Sequence, residues 1–168
     1  MNKKYQIVIF GATGFTGELC VKYMSEKYPD VSIAIAGRNK EKLEMVRSRH
    51  RLSCPIVVAD AFDVEALDKM CQDAEVILST AGPYHKYGSD LVRSCVNAGC
   101  HYVDITGESF WIRDQIEKHH KDAEAKGVRI INACGFDSAP SDLGVFYAVN
   151  KVVGEVDSVH CFQAFKGV

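Results

Sequence analysis

An apolar run that breaks into three evenly spaced glycines, Tyr5-Gln6-Ile7-Val8-Ile9-Phe10-Gly11-Ala12-Thr13-Gly14-Phe15-Thr16-Gly17, dictates the kind of fold open to this chain. The unbroken stretch Ile7 to Phe10 predicts a strand covered on both faces. A helical pattern led by Leu19, Val21, Tyr23 and Met24 follows the glycines directly. Strand, glycine turn and helix in that order are the setting a dinucleotide fingerprint requires. Gly11 allows the tight turn, Gly14 lets backbone N–H groups approach a pyrophosphate, and Gly17 lets the helix press against the strand. A pyrophosphate there would meet unpaired amides at the positive end of the helix dipole. The spacing is G-x-x-G-x-x-G rather than the commoner G-x-G-x-x-G. The predicted cradle comprises Gly11, Ala12, Thr13, Gly14, Phe15, Thr16 and Gly17.

Bulk properties narrow the function. The chain has 168 residues, enough for about one domain with a sizeable core. A net charge of −2, from 20 basic and 22 acidic residues, gives no electrostatic case for nucleic acid as a partner. No apolar run approaches the roughly 18 residues of a membrane helix. Met1-Asn2-Lys3-Lys4 enters the first strand at once, so neither a secretory signal nor a transit peptide is expected. The expected location is the cytoplasm, or an organelle or lipid-droplet surface reached through a further C-terminal part. Of the seven cysteines, Cys20, Cys71, Cys95 and Cys134 fall in apolar or helical segments and no C-x-x-C pair occurs. They are expected as reduced, mostly buried thiols. No paired ligand spacing suggests a metal, and His119-His120 lies on a lysine- and glutamate-rich helix face.

The remaining chain alternates short apolar runs with helical patterns. Strands are expected at Val31 to Ala36, Cys54 to Ala59, Ala74 to Thr80, His101 to Ile105 and Val128 to Asn132. Helices are expected at Glu41 to Arg49, with Leu43 and Val46 inward, and then at Asp63 to Met70, Ser89 to Ala98 and Ser109 to Lys126. A last helix, capped by Ser138 with Pro140 in its first turn, runs to about Val149. The fold class is α/β: a doubly wound parallel sheet, a Rossmann domain of six strands in the order 3-2-1-4-5-6, spanning 1–154. Residues 155–168 are expected to be the first strand of a second, C-terminal domain for substrate binding and dimerisation.

The second strand ends about 20 residues past the glycine turn, where the adenosine ribose is read. Arg38 stands there, where an acidic residue would repel a 2′-phosphate. Its fork of donors suits the phosphate and its plane suits adenine, with Asn39 and Lys42 adding donors or charge. NADP(H) is therefore preferred over NAD(H). Asp60, at the tip of the third strand, either contacts the adenine amino group or caps the next helix. Thr80-Ala81-Gly82-Pro83-Tyr84, at the tip of the fourth, offers small residues against which a nicotinamide ribose can lie. Tyr84 or His85 is placed to face the nicotinamide or the substrate.

Three stretches go beyond a generic dinucleotide fold. They are Gly11 to Gly17, then Ala81-Gly82-Pro83-Tyr84 with Ala98-Gly99-Cys100-His101-Tyr102-Val103-Asp104-Ile105-Thr106-Gly107-Glu108, then Cys134-Gly135-Phe136-Asp137-Ser138-Ala139-Pro140-Ser141-Asp142-Leu143-Gly144. Together they resemble the N-terminal half of the saccharopine dehydrogenase-like oxidoreductases, a family that includes trans-acting enoyl reductases of glycolipid synthesis. The resemblance covers residues 5 to about 165. It implies a nicotinamide-dependent reductase, a homodimer at full length, acting on a small or lipid-linked substrate with an unsaturated, carbonyl or imine group. Family members are longer than this chain, which is expected to bind cofactor but not to turn over substrate alone.

Hydride transfer is the cofactor's chemistry, and the protein adds orientation and a proton. Tyr84, Asp104, Glu108, Asp137 and Ser138 are the polar groups at strand ends, and none is singled out as catalytic. Two other readings stand beside this one. A short-chain dehydrogenase would use Tyr-x-x-x-Lys, met at Tyr147 and Lys151 with Ser138 upstream, and at Tyr23 and Lys27 on the first helix; Tyr147 sits in an apolar run that reads as core. A sensor or scaffold would bind NADP(H) without consuming it. At equal concentrations NADPH should raise the melting temperature more than NADH does, and Arg38→Asp should erase or reverse that ranking. A ranking that survives the substitution would remove Arg38 from phosphate recognition.

Overall fold

A computed structural model describes residues 3–162 and 164. The first apolar run forms β1 (Tyr5–Phe10) and passes through the glycine turn into α1 (Phe15–Lys27). Then come β2 (Ile33–Gly37), α2 (Lys40–Arg49), β3 (Ile56–Val58), α3 (Val64–Asp73) and β4 (Ala74–Ser79). A short α4 (Tyr84–Tyr87) precedes α5 (Ser89–Ala98), β5 (His101–Asp104), α6 (Ser109–Ala125), β6 (Ile130–Ile131) and α7 (Ala139–Val149). All strand pairs are parallel and their order is β3-β2-β1-β4-β5-β6, as the alternating pattern implies. The order reverses between β1 and β4, and ligands of such sheets bind at the carboxyl ends beside that point.

The two-residue side-chain period of β1 divides the core between the sheet's faces. Val8 and Phe10 point to one face, where Leu67, Met70 and Cys71 of α3 and Leu91, Val92 and Cys95 of α5 cover them. Ile9 points to the other face, against Val21 of α1 and Leu43 and Val46 of α2. Each fully buried Leu, Ile or Val contributes roughly 1.5–3 kcal/mol by leaving water, so a sheet covered on both sides holds its strand ends firmly.

Several expectations are corrected. Leu19 and Tyr23, which lead the helical pattern of α1 with Val21 and Met24, are exposed, and only Gly17 and Val21 of that helix are buried. The helix packs on the sheet through a narrow stripe, Val21 with the partly buried Cys20 and Met24 beside Ile9 and Ile35. Ser138 makes no side-chain cap on α7, and no residue of α7 is buried. Leu143, Phe146 and Tyr147 therefore face outward rather than forming core. Residues 155–162 are exposed and in no strand, while 163 and 165–168 lie outside the described residues. Cys71, Cys95 and Cys100 are buried, whereas Cys20 and Cys54 are half-buried and Cys134 and Cys161 exposed. Among the described residues no helix is long and apolar enough to cross a membrane.

Gly17 is where α1 is clamped to the sheet. A Cβ there would fall far inside contact with the Gly11 carbonyl oxygen, 2.8 Å from the Thr80 hydroxyl and 2.9 Å from Ala12 Cα. Overpacking against backbone of this kind costs about 1–3 kcal/mol, more than the ~1 kcal/mol by which Ala exceeds Gly in helix propensity. Gly17→Ala should therefore lower unfolding free energy in urea titration, by an amount up to about 2 kcal/mol. Gly14→Ala, whose Cβ would stand 3.4 Å from the nearest atom, should change it much less.

Candidate functional site

The glycine turn at the end of β1 is built around Gly11, whose φ of +85° only glycine adopts without strain. Its amide donates to the Ala36 carbonyl of β2 at 3.0 Å, and its own carbonyl accepts from Gly14 N–H at 3.0 Å. Thr80 locks the other side: its amide donates to the Phe10 carbonyl at 2.9 Å, and its hydroxyl reaches the carbonyls of Phe10 and Gly11, each at 3.2 Å. Gly14 is the N-cap of α1 and supplies no side-chain acceptor. The amides of Phe15, Thr16 and Gly17 consequently have no acceptor among the described residues. Three unpaired N–H groups stand at the positive end of the helix dipole, the arrangement that anion binding at a helix start uses.

A cleft of about 400 Å³ opens in front of this turn, along the carboxyl ends of β1 to β4. Gly11, Thr13 and Gly14 line it beside Arg38, Asp60, Thr80, Ala81, Gly82 and Pro83. Arg38 is exposed and its guanidinium has no hydrogen-bond or ion-pair partner among the described residues. It is a cation on the cleft wall with its donors available. Asp60 uses one carboxylate oxygen to accept from Phe62 N–H at 3.0 Å. The cap of α3 is Asp63, which accepts from Ala66 N–H at 3.0 Å, so the capping alternative for Asp60 is removed.

Other predicted positions are arranged differently. Ala12 and Gly17 are buried, and Phe15 and Thr16 are exposed at the start of α1, outside the cleft lining. Asn39 caps α2, its side-chain oxygen accepting from Lys42 N–H at 2.8 Å, which leaves its amide group and the exposed Lys42 ammonium outside the cleft wall. Tyr84 is corrected as a cleft residue. It is buried, its hydroxyl donates to the Ser79 carbonyl at 3.1 Å, its ring leans on Trp111, and burial pushes its pKa up to about 12. The tyrosine that lines the cleft is Tyr87, one helical turn on, paired edge-on with Phe62 at 5.5 Å. Phe10, Gly37, Ala59 and Ala61 complete the wall and were not foreseen. The i, i+3 spacing of Tyr84 and Tyr87 was the available signal, but it carries information only once α4 is known to be a helix.

The β5 side is organised by two carboxylates. Asp104, 2 % exposed, accepts from the amides of Thr106 and Ala133 at 3.1 Å each and from the Asn132 side chain at 2.8 Å. It ties β5 to the turn after β6, where Ala133 has a φ of 57°. A residue so engaged is structural rather than a proton carrier facing the cleft. Glu108 accepts from the amides of Tyr84 and His85, both at 2.8 Å, and meets His85 Nδ1 at 2.6 Å. Partial burial alone would raise the Glu108 pKa, but the His85 and Tyr84 amides and the His85 ring outweigh it and hold the group below its usual value. Asp137 is exposed and Ser138 half-buried, and neither lines the cleft. Tyr147, with the Lys151 ammonium 5.5 Å above its ring, is also away from it.

A family model described as the saccharopine dehydrogenase NADP binding domain matches residues 7–131, from β1 through β6. The chain belongs to that family. Among relatives of the saccharopine dehydrogenase NADP-binding domain, a trans-acting enoyl reductase of Mycobacterium leprae (strain TN) is 43% identical over 155 residues, 90% of this chain and 37% of that protein. A trans-acting enoyl reductase of Mycobacterium ulcerans (strain Agy99) is 43% identical over 153 residues, 89% of this chain and 37% of that protein. The chain thus spans under two fifths of the length of these relatives. The apo saccharopine dehydrogenase (L-Glu forming) of Saccharomyces cerevisiae superposes with a TM-score of 0.74 at 18% identity, over 88% of this chain and 31% of that one, which shows the shared fold. The family carries the NADP preference that Arg38 implies.

Because the folded pKa of Glu108 lies below its unfolded value of about 4.3, its stabilisation is present above that value and is lost as pH falls through the lower, folded one. At neutral pH, Glu108→Ala should lower the hydrogen-exchange protection of the Tyr84 and His85 amides by about tenfold, the equivalent of one charge-assisted bond. Unchanged protection would mean that α4 holds itself without the carboxylate.

Proposed function

We propose that the chain is the NADP(H)-binding part of a reductase that delivers hydride to an unsaturated acyl group on a small or lipid-linked carrier. What carries this reading is the similarity of the chain to a protein named trans-acting enoyl reductase, at 43% identity across 90% of the chain. The cradle itself fits the cofactor: unpaired amides at the start of α1, and the Arg38 guanidinium without a partner among the described residues on the cleft wall.

In this reading the amides following Gly14 hold the pyrophosphate, and Arg38, helped by the Asn39 amide group and Lys42, pairs the 2′-phosphate. The free oxygen of Asp60 accepts from the adenine amino group. Thr80, Ala81, Gly82 and Pro83 give the nicotinamide ribose a surface without bulky side chains, and Tyr84 supports that loop from behind. Bound NADPH supplies the hydride. The protein excludes water and fixes which face of the substrate is presented. Residues 1–154 form the cofactor domain, and the exposed apolar side of α7 is where a second domain beginning at about residue 155 packs. That domain supplies substrate contacts and the homodimer interface, and directs the protein to the cytoplasm or to an organelle or lipid surface.

The test uses the full-length protein, NADPH and a short trans-2-enoyl thioester. Loss of NADPH absorbance with formation of the saturated acyl product is expected. Binding of NADPH with no consumption across enoyl, carbonyl and imine substrates would replace the reductase by a cofactor sensor.

A further inference from the structure

We propose that Tyr87 reads the adenine of the cofactor: its hydroxyl donates to the ring nitrogen beside the amino group that Asp60 takes. This rests on the cofactor placement proposed above and adds a second contact to the base. In the sequence Tyr87 follows the β4 loop, four residues past Pro83, which is laid against the nicotinamide ribose. Its ring is carried toward β3 instead. It meets the Phe62 ring edge-on, with centroids 5.5 Å apart and planes inclined by 61°. Phe62 is tied to the tip of β3, its amide donating to one Asp60 carboxylate oxygen at 3.0 Å. Tyr87, Asp60 and Ala61 all line the cleft, so the three share its β3 end.

The same end holds Arg38. Gly37 pairs with Val58 across β2 and β3, and the Ala59 amide donates to the Gly37 carbonyl at 3.1 Å, so Arg38 and Asp60 each follow a paired neighbour. Arg38 leads into α2, whose Leu43 packs on one face of the sheet, whereas Tyr84 of α4 packs on the other. A base lying between the strand tips is met by Arg38 from one face and by Tyr87 from the other.

Two polar atoms at this end are uncommitted. The second Asp60 oxygen and the Tyr87 hydroxyl have no hydrogen-bond partner among the described residues. Phe62 and the Lys86 ammonium, 5.2 Å from the ring centroid, already contact the Tyr87 ring, so the hydroxyl is what it has left for the base. Adenine presents an amino donor beside a ring-nitrogen acceptor. A carboxylate only accepts and a phenol donates, so Asp60 and Tyr87 complement that edge as a pair. Hypoxanthine carries a carbonyl oxygen in place of the amino group. The Asp60 carboxylate facing that oxygen would hold the base off both contacts.

The experiment measures dissociation constants of the full-length protein and its Tyr87→Phe variant for adenosine 2′,5′-bisphosphate and inosine 2′,5′-bisphosphate. These two probes keep both phosphates, lack the nicotinamide and differ only in the base. The parent should prefer the adenosine probe by at least about tenfold, the worth of one bond to a carboxylate. Tyr87→Phe should weaken that probe by about 3- to 10-fold, as for one neutral hydrogen bond, and leave the inosine probe unchanged. The melting temperature of the ligand-free protein should stay where it is, which separates a contact to the base from a structural role. Equal affinities of parent and variant for the adenosine probe would overturn the assignment. So would an equal loss for both probes, which would move the contact to the ribose or a phosphate. A parent that binds neither NADPH nor the adenosine probe would instead overturn the cofactor placement itself.

Discussion

The contact of α1 with the Gly11 carbonyl sets the geometry on which the cleft depends. It requires no side chain at residue 17, a left-handed backbone at residue 11, and the Thr80 hydroxyl wedged between β1 and β4. Each condition serves the same end: the first amides of α1 stand a fixed distance in front of the sheet, at the point where strand order reverses. A helix free to lift by even an ångström would scatter those amides. The apolar clusters on the two faces hold the strands, but the glycines decide where the strand ends point.

How much of this was legible from the residues follows from where the information is local. β1, the glycine turn, α1, and the alternation of strand with helix are written in contiguous patterns, and the parallel order follows once they are recognised. Arg38 was legible because its distance from the turn is fixed by one helix and one strand. The shape of α4 was not, since four residues make too short a period to read. With α4 hidden, the sequence offers Tyr84 or His85 toward the nicotinamide, whereas Tyr87 occupies the wall and Tyr84 the core behind it. The apolar run in α7 reads as core under any periodic rule; that nothing described here covers it is a tertiary fact.

Carboxylates divided along the same line. Asp63 caps α3 in the ordinary way, a local arrangement of Asp and the amide three residues on. Glu108 and Asp104 act on amides far from them in sequence, at Tyr84 and His85 and at Ala133. Their residue type announced a polar strand end; their partners depended on β4, β5 and β6 lying side by side. One carboxylate became a structural knot and the other the orienting partner of a half-exposed imidazole, and only the sheet distinguishes them.

Two of the three buried thiols have a consequence of their own. Cys71 Sγ of α3 lies 3.5 Å from Cys95 Sγ of α5, and desolvation raises the Cys95 thiol well above its ordinary value, so both are chemically silent while that layer is closed. Cys134 and Cys161 are exposed on the opposite side of the chain's history, after β6. An alkylating reagent would consume the latter pair first, the half-buried Cys20 and Cys54 next, and reach Cys71 and Cys95 last. Its slow phase would clock how often the α3–α5 layer breathes apart. The domain thus carries, in its native cysteines, a stopwatch for one half of its own interior.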